Sequence, residues 1–255
     1  MPFQKIQPEK ISHSVVRQIE LLILQGVLRP GERLPSERVL SERFGVSRPS
    51  LREAVAQLQD GGLLTAKANS GIFIADVWGA SLSPPLTKLF ASHDTAVFDY
   101  LDFRRDIEGL AAERATRLGS DTDLAVVDQV FQRMEEAHKK RDPSDEATID
   151  AEFHLSIIEA SHNVVMLHLM RSMYSLLRDG VFYNRQIMYR QRTTRTTLLE
   201  QHRSINQAIQ DRDGKNARKA VEAHMDFIRT ALEDHRTAER NEAIARQRLE
   251  HGKDR

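Results

Sequence analysis

The sequence predicts a mainly α fold in two parts. The first is an N-terminal winged helix-turn-helix of three helices and a β-hairpin, and the second is an all-α antiparallel helical bundle. Three observations predict it. Between residues 12 and 60 apolar residues recur three times at helical spacing, and two short strand-like runs around a tight turn follow by residue 77. From about 95 to 236 every segment keeps helical spacing and none reads as a strand. Aromatics are sparse at 6% while charged residues reach 29%, a balance that suits amphipathic helices better than a β-sandwich. A chain of 255 residues is long enough for two ordinary domains.

The first helix is expected over 12–28, with Val15, Val16, Ile19, Leu22, Ile23 and Val27 on one face and Ser12 or Ser14 as its cap. Gly26 and Pro30-Gly31 end it. Ser36 is placed to cap a second, short helix with Val39, Leu40 and Phe44 inward, and Gly45 stands where a left-handed residue closes a helix. Ser47 then caps a third helix. Pro49 sits in its first turn, where a missing N–H costs nothing, and Leu51, Val55 and Leu58 form its buried stripe up to Gly61-Gly62. Residues 63–67 and 71–77 read as strands around Ala68-Asn69-Ser70.

The expected domains are therefore a DNA-binding winged helix-turn-helix (1–77), a linker (78–92) containing Pro84-Pro85, a helical effector-binding and dimerisation domain (93–236) and a charged tail (237–255) read as a frayed helix or a disordered end. Within the bundle, helices are expected over 95–118, 121–140, 144–161, 163–190, 194–211 and 214–236. His162 and Asn163 are read as capping a helix junction.

The formal net charge is +0, so the total does not announce a nucleic-acid binder. Residues 1–77 hold ten basic against eight acidic side chains, and the placement of the arginines must carry the argument. The absence of cysteine excludes a disulfide framework and a thiolate metal site. The N-terminus lacks the apolar core of a signal peptide, and no run approaches the roughly 20 apolar residues of a membrane span. A soluble, cytoplasmic protein with no membrane partner is expected.

Ser47, Arg48, Ser50 and Arg52 fall at the start of the third helix, the position that meets base edges in the major groove. An arginine fork bonds guanine O6 and N7 together, and hydroxyls and free N–H groups at a helix start suit phosphate. Arg38 lies on the preceding helix, near the backbone or groove edge. Alone, SRPSLRE reads as a well-capped surface helix; the order helix, glycine turn, capped helix, hairpin makes it a DNA reader.

The stretch ILQGVLRPGERLPSERVLSERFGVSRPSLREAVAQLQDGGLL resembles the GntR family of bacterial regulators, through PGERLPSER, GVSRPSLREA and GLL. The second domain, with DAEFH, EASHN, EQHRSI and EAHM, resembles the effector domain of its FadR-like (FCD) branch. Within that branch the likeness is greatest to repressors of the pyruvate dehydrogenase complex, with regulators of L-lactate and glycolate utilisation next. The resemblance implies that Arg38, Arg48 and Arg52 recognise a palindromic double-stranded operator. It also implies that the wing tip approaches the minor groove. Here the tip is Asn69-Ser70-Gly71-Ile72, where the family often has Gly-Gly-Gly-Thr; Asn tolerates positive φ, so the turn survives.

Asp150 and His154 are four apart and share a helix face, while His202 and His224 lie on two later helices. If the bundle brings these helices together, one carboxylate and three imidazoles surround a point suited to a divalent ion (Zn, Ni, Mn or Fe) with positions left open. The resemblance implies the same four ligands, and their presence pulls it toward the lactate and glycolate regulators. Arg104 falls within the apolar face of Leu101, Ile107, Leu110 and Ala111. A buried Arg needs an anion, either an effector carboxylate or a structural partner in Glu108 or Asp150. The resemblance favours the effector.

The expected function is a dimeric transcriptional repressor released by a small carboxylate, pyruvate first, with lactate and glycolate close behind. A dimer follows from paired half-sites. A metal-dependent hydrolase is the rival from another class. It finds no general-base motif here and leaves the N-terminal third unexplained.

Overall fold

A glycine ends the second helix of the N-terminal region and a serine cap opens the third. The computed structural model describes residues 10–67, 70–76, 89–90, 93–140, 144–178 and 192–253. The chain divides into two compact units, Met1–Leu82 and Ser83–Arg255. The first contains α1 (Ile11–Leu24), α2 (Glu37–Phe44), α3 (Arg48–Asp60), β1 (Leu64–Lys67) and β2 (Gly71–Ile74).

Gly45 closes α2 in the left-handed region at φ 63°. The Ser47 side chain accepts from the Ser50 N–H to open α3, with Pro49 in the first turn. Leu51, Ala54, Val55 and Leu58 of α3 join Val15, Ile19, Leu34, Leu40, Leu64 and Ile74 in one core. The hairpin pairs Leu64 with Ile74 and Lys67 with Gly71. A third, single-bridge edge is added by Arg33 opposite Phe73.

Three local expectations in this unit are corrected. Ser36 stands at the N-cap of α2, but its side chain makes no cap hydrogen bond. Helix α1 starts after Lys10 with no side-chain cap, and Ser12 is buried inside the helix, so neither Ser12 nor Ser14 caps it. Val27 is exposed because the helix has already ended at Leu24. Leu28 packs against the core in its place.

The second unit contains α4 (Asp94–Leu118), α5 (Asp121–His138), α6 (Ser144–Ala160), α7 (Val164–Arg178), α8 (Arg192–Gln210) and α9 (Gly214–Lys253). Helix α9 packs along α4 and α8, α6 packs on α4, α5 and α7, and α8 also packs on α5. Phe131, Phe153, Ile157, Ile205, Ile209 and Val221 fill the interior. On α4 the buried stripe runs Leu101, Arg104, Glu108, Ala111 and Ala115, whereas Leu110, expected inward, is 39% exposed.

A capping box opens α5. Ser120 Oγ accepts from the Asp123 N–H at 3.2 Å, and Asp123 Oδ2 accepts from the Ser120 N–H at 2.8 Å. His162 Nε2 lies 2.9 Å from that same Asp123 oxygen, and Asn163 Oδ1 accepts from the Met166 N–H at 3.1 Å. Both residues of the EASHN junction thus serve as turn and cap. The charged segment after 236 continues α9 to Lys253. Its Ala, Glu, Arg and Gln favour helix, and Arg246–Glu242 adds an i,i+4 pair. Pro84-Pro85, most of the expected linker and residues 179–190 lie outside the described residues. Among the described residues no helix is long and apolar enough to cross a membrane.

Gly119 shows what the α4–α5 corner demands. A Cβ built there would sit 2.6 Å from the Ala115 carbonyl oxygen and 2.7 Å from Leu124 Cδ1. Its own carbonyl also accepts from Arg212 Nη1 at 2.9 Å, which restricts how far the turn can move. Gly119→Ala is expected to cost about 1–3 kcal/mol of stability, the usual cost of overpacking. Urea unfolding of the pure variant measures it, and an unchanged midpoint would mean that the corner relaxes freely.

Candidate DNA-reading face and candidate metal centre

The first turn of α3 carries the DNA candidates. Arg48 is its first residue and is exposed, and Ser47 and Ser50 join their hydroxyls at 2.9 Å. Arg52 stands one turn later, 69% exposed, with Nε 2.9 Å from Glu37 of α2. Arg38 reaches Glu42 at 2.9 Å on the exposed side of α2. Such exposed ion pairs are weak, so phosphate or a base edge can replace the carboxylate. Ser70 and Gly71 lie exposed at the hairpin turn, and Asn69 falls outside the described residues.

The wing holds two cations that sequence reasoning missed. Gly71 adopts φ 105°, and a Cβ there would meet Arg33 Nε at 3.0 Å, so glycine gives the Arg33 side chain its seat. Lys67 Nζ lies 4.6 Å from the centre of the Phe73 ring. The lone signal available was a glycine following the tip, since Arg33 approaches it from a distant part of the sequence.

In the bundle, Asp150 and His154 of α6, His202 of α8 and His224 of α9 come together. One ligand atom from each lies within 4.8 Å of all the others, and all four residues are buried. Asp150 Oδ1 is 3.1 Å from His202 Nε2, and His202 Nε2 is 3.3 Å from His154 Nε2. Bonds of about 2.0–2.2 Å to one ion place neighbouring donors roughly 3–4 Å apart, so these spacings fit. Phe153 stands edge-on to His154 and His202, with ring centroids 5.9 and 5.3 Å away.

The hydrogen bonds on the far side of the rings favour the same use. His154 Nδ1 is 2.7 Å from Glu108 Oε2, and His224 Nδ1 is 2.9 Å from Gln201 Oε1. Each acceptor fixes the proton on Nδ1 and leaves an Nε2 lone pair. His224 Nε2 is buried without a hydrogen-bond partner. A bare buried nitrogen beside a carboxylate and two other imidazoles is what a cation would satisfy, so these residues fit a divalent ion.

Electrostatics divides the histidines. Burial lowers the pKa of His202 and, with the neighbouring imidazoles adding to it, pushes His224 well below the ordinary value. Burial also opposes charge on His154, but Glu108 and Asp150 outweigh it and raise its pKa. Burial would raise Glu108, yet Arg104 and His154 hold its carboxyl below the usual range.

Arg104 is fully buried. Its Nε donates to Glu108 Oε1 at 2.6 Å and its Nη2 to Tyr174 Oη at 3.0 Å, with the rings of Tyr174 and Tyr100 5.0 and 5.9 Å from its guanidinium carbon. Of the two structural partners considered from sequence, Glu108 is the one that pairs with Arg104. The Arg104 charge is still felt at His224, whose pKa it helps to lower. An open groove of about 1080 Å³ between α5 and α6 is lined by Gln132, Arg133, Glu136 and Asp145 among others, and by none of the cluster residues. A groove of surface residues with no convergent chemistry carries less weight than the buried donor set.

Comparison with known proteins matches the two regions of the chain to two different family models. Residues 11–74 match the family model "Bacterial regulatory proteins, gntR family", and residues 99–227 match the FCD domain. The chain is 36% identical over 231 residues to an Escherichia coli K12 protein named for the regulation of its L-lactate dehydrogenase operon, covering 89% of this chain and 88% of that one. It is 31% identical to the Glc operon transcriptional activator of the same organism, over 90% of this chain and 92% of that one. Among solved structures, a Streptococcus agalactiae GntR protein matches with a TM-score of 0.56 and 26% identity, covering 86% of this chain and 99% of that one. The chain belongs to the gntR family of bacterial regulatory proteins, as a DNA-binding transcription regulator with an FCD domain and not an enzyme.

Proposed function

We propose that this regulator is a cytoplasmic, dimeric repressor whose bundle binds a divalent metal ion together with a small 2-hydroxy or 2-oxo monocarboxylate, and which releases its operator when the carboxylate binds. The carrying observation is the charge of the buried cluster. Arg104, Glu108 and Asp150 are all buried beside three histidines, which ligate a metal only when neutral. With all three histidines neutral, these described groups leave one net negative charge. A divalent ion turns that into one positive charge, and a monocarboxylate brings it to zero. Burial rewards neutrality, because an uncompensated buried charge is costly.

A bound ion would supply an electron-accepting position for a carboxylate or hydroxyl oxygen. Asp150, His154, His202 and His224 would hold it, and three nitrogens with one oxygen suit Zn, Ni, Mn or Fe. Arg104 is the cation for the ligand carboxylate, turned by its bond to Glu108. The names of the relatives, one for an L-lactate dehydrogenase operon, bring lactate and glycolate level with pyruvate as first probes. One relative is named an activator, so the sign of the response has to be read directly.

On the DNA side, Arg48 and Arg52 are the base readers, Arg38 and Ser47 support them on the backbone, Ser50 completes the cap, and the wing residues Asn69, Ser70 and Gly71 approach the minor groove. A dimer presents two such faces to a palindrome. The test is operator affinity, on a site selected from random DNA with the wild-type protein, against lactate, glycolate and pyruvate. The expected shift is about 5- to 150-fold weaker binding, the usual range of such coupling. Tighter binding would assign the activator sign. No shift with any of them would overturn the sensing model.

Five variants probe its parts. Arg48→Ala and Arg52→Ala should each weaken specific operator binding by about 1–3 kcal/mol with the fold intact; wild-type affinity in both would remove them from the interface. His202→Ala and His224→Ala should lose bound metal and thermal stability together, since metal binding energy is also folding energy. Elemental analysis showing full occupancy in both would make these histidines structural. Arg104→Lys keeps the charge but loses the planar fork, and should blunt the carboxylate response while leaving effector-free DNA binding near normal. An undiminished response would limit Arg104 to its bond with Glu108.

A further inference from the structure

Glu108 is absent from the ligand set, yet it is a buried carboxylate with three bonded partners, Arg104, Tyr174 and His154. It is 2% exposed. Its Oε1 accepts from Arg104 Nε at 2.6 Å and from Tyr174 Oη at 2.8 Å. Its Oε2 lies 2.7 Å from His154 Nδ1 and 3.4 Å from Arg104 Nη2. One side chain on α4 therefore meets a candidate ligand on α6, a tyrosine on α7 and the candidate anchor of the effector, one turn earlier on its own helix.

We infer that Glu108 is a positioning residue for the metal centre: its carboxylate accepts the Nδ1–H of His154, aims Nε2 into the cluster, and by the same two oxygens holds Arg104 in fixed relation to it. The inference rests on the metal reading above and adds to it a residue that touches neither ion nor effector. The physical case has three parts. An imidazole with its Nδ1–H on a carboxylate is locked in tautomer and ring angle and is a stronger donor at Nε2. The corresponding acceptor for His224 is a neutral amide, Gln201, so the charged support is applied to one ligand in particular. Last, the Nε edge of Arg104 is committed to Glu108 Oε1 at 2.6 Å, which sets the direction of the rest of the guanidinium. The ion and the cation that would grip one small ligand are thereby referenced to a single buried carboxylate.

The experiment strips full-length wild type and Glu108→Gln of metal with a chelator. Zn²⁺ is then titrated against a competing indicator. Glu108→Gln should bind Zn²⁺ about 10- to 100-fold more weakly although every ligand is present. Because the substitution also removes the counter-charge of Arg104, the neutral pair Arg104→Met with Glu108→Gln is measured beside it and should show the same loss. A readout independent of any variant is the nitrogen-15 NMR of Zn-loaded wild type with labelled histidine. It should show one Nδ1–H proton far downfield, bonded to a carboxylate, and assigned to His154 by its loss in His154→Gln. Wild type that takes up no Zn²⁺ overturns the metal reading itself. Wild type that binds Zn²⁺ while both Glu108 variants bind it equally well, or that lacks the deshielded Nδ1–H, overturns the role of Glu108 alone.

Discussion

The bundle depends on burying six ionisable side chains (Arg104, Glu108, Asp150, His154, His202 and His224) at one place where apolar residues would pack with less risk. Each must find a partner, since an unpaired charge in such an interior costs several kcal/mol. That need ties helices together at named points: α4 to α6 and α7 through Glu108, α6 to α8 through Asp150, and α8 to α9 through Gln201. Leucines at these positions would tolerate sliding. A carboxylate between a guanidinium and an imidazole does not, because hydrogen bonds weaken steeply with distance and angle.

A second buried charge pair shows by contrast what purely structural burial looks like. Glu146 pairs with Arg195, whose Nη2 also donates to the carbonyls of His138 at 3.0 Å and Lys140 at 3.1 Å. That arginine closes the C-terminal end of α5 and satisfies orphan carbonyls while it neutralises a carboxylate. These bonds serve the chain. The cluster around Asp150 differs because His224 Nε2 is buried and bare, a lone pair the protein has shielded from water without giving it a donor. Burial that leaves such an atom unsatisfied is a stability cost with no structural return, and a ligand is the simplest return.

The sequence disclosed those parts of the molecule whose physics is local. Gly45, Ser47 and Pro49 each act on their own backbone, so the turn between α2 and α3 could be read in order. The i,i+4 step from Asp150 to His154 is a property of one helix, and it flagged two candidate ligands. Contacts between distant segments were harder. Arg104 was visible as a charge on an apolar face, but its choice of Glu108 over Asp150 is made by how α4 sits on α6 and α7, and Tyr174 lies 70 positions away in sequence. Ser12 misled for the same reason: a serine near a helix start suggests a cap, but tertiary packing drew it inside the helix. Arg33 at Gly71 carried almost no local signal.

The same contrast between local and long-range bonding bears on how the centre can respond to a ligand. The candidate DNA-reading arginines Arg38 and Arg52 are held by surface carboxylates of α2, Glu42 and Glu37, contacts that water and salt weaken. They can exchange partners at little cost. The bundle cluster is sequestered, so anything that binds there changes interactions that water does not buffer. Its four candidate ligands come from α6, α8 and α9, and Arg104 and Glu108 from α4. Binding energy gained at the cluster is therefore shared among four helices and acts on their mutual packing. A ligand shifts a conformational equilibrium only by its difference in affinity between states. A site assembled from four helices and closed by one carboxylate can have such a difference, because any change in helix packing alters several ligand distances at once.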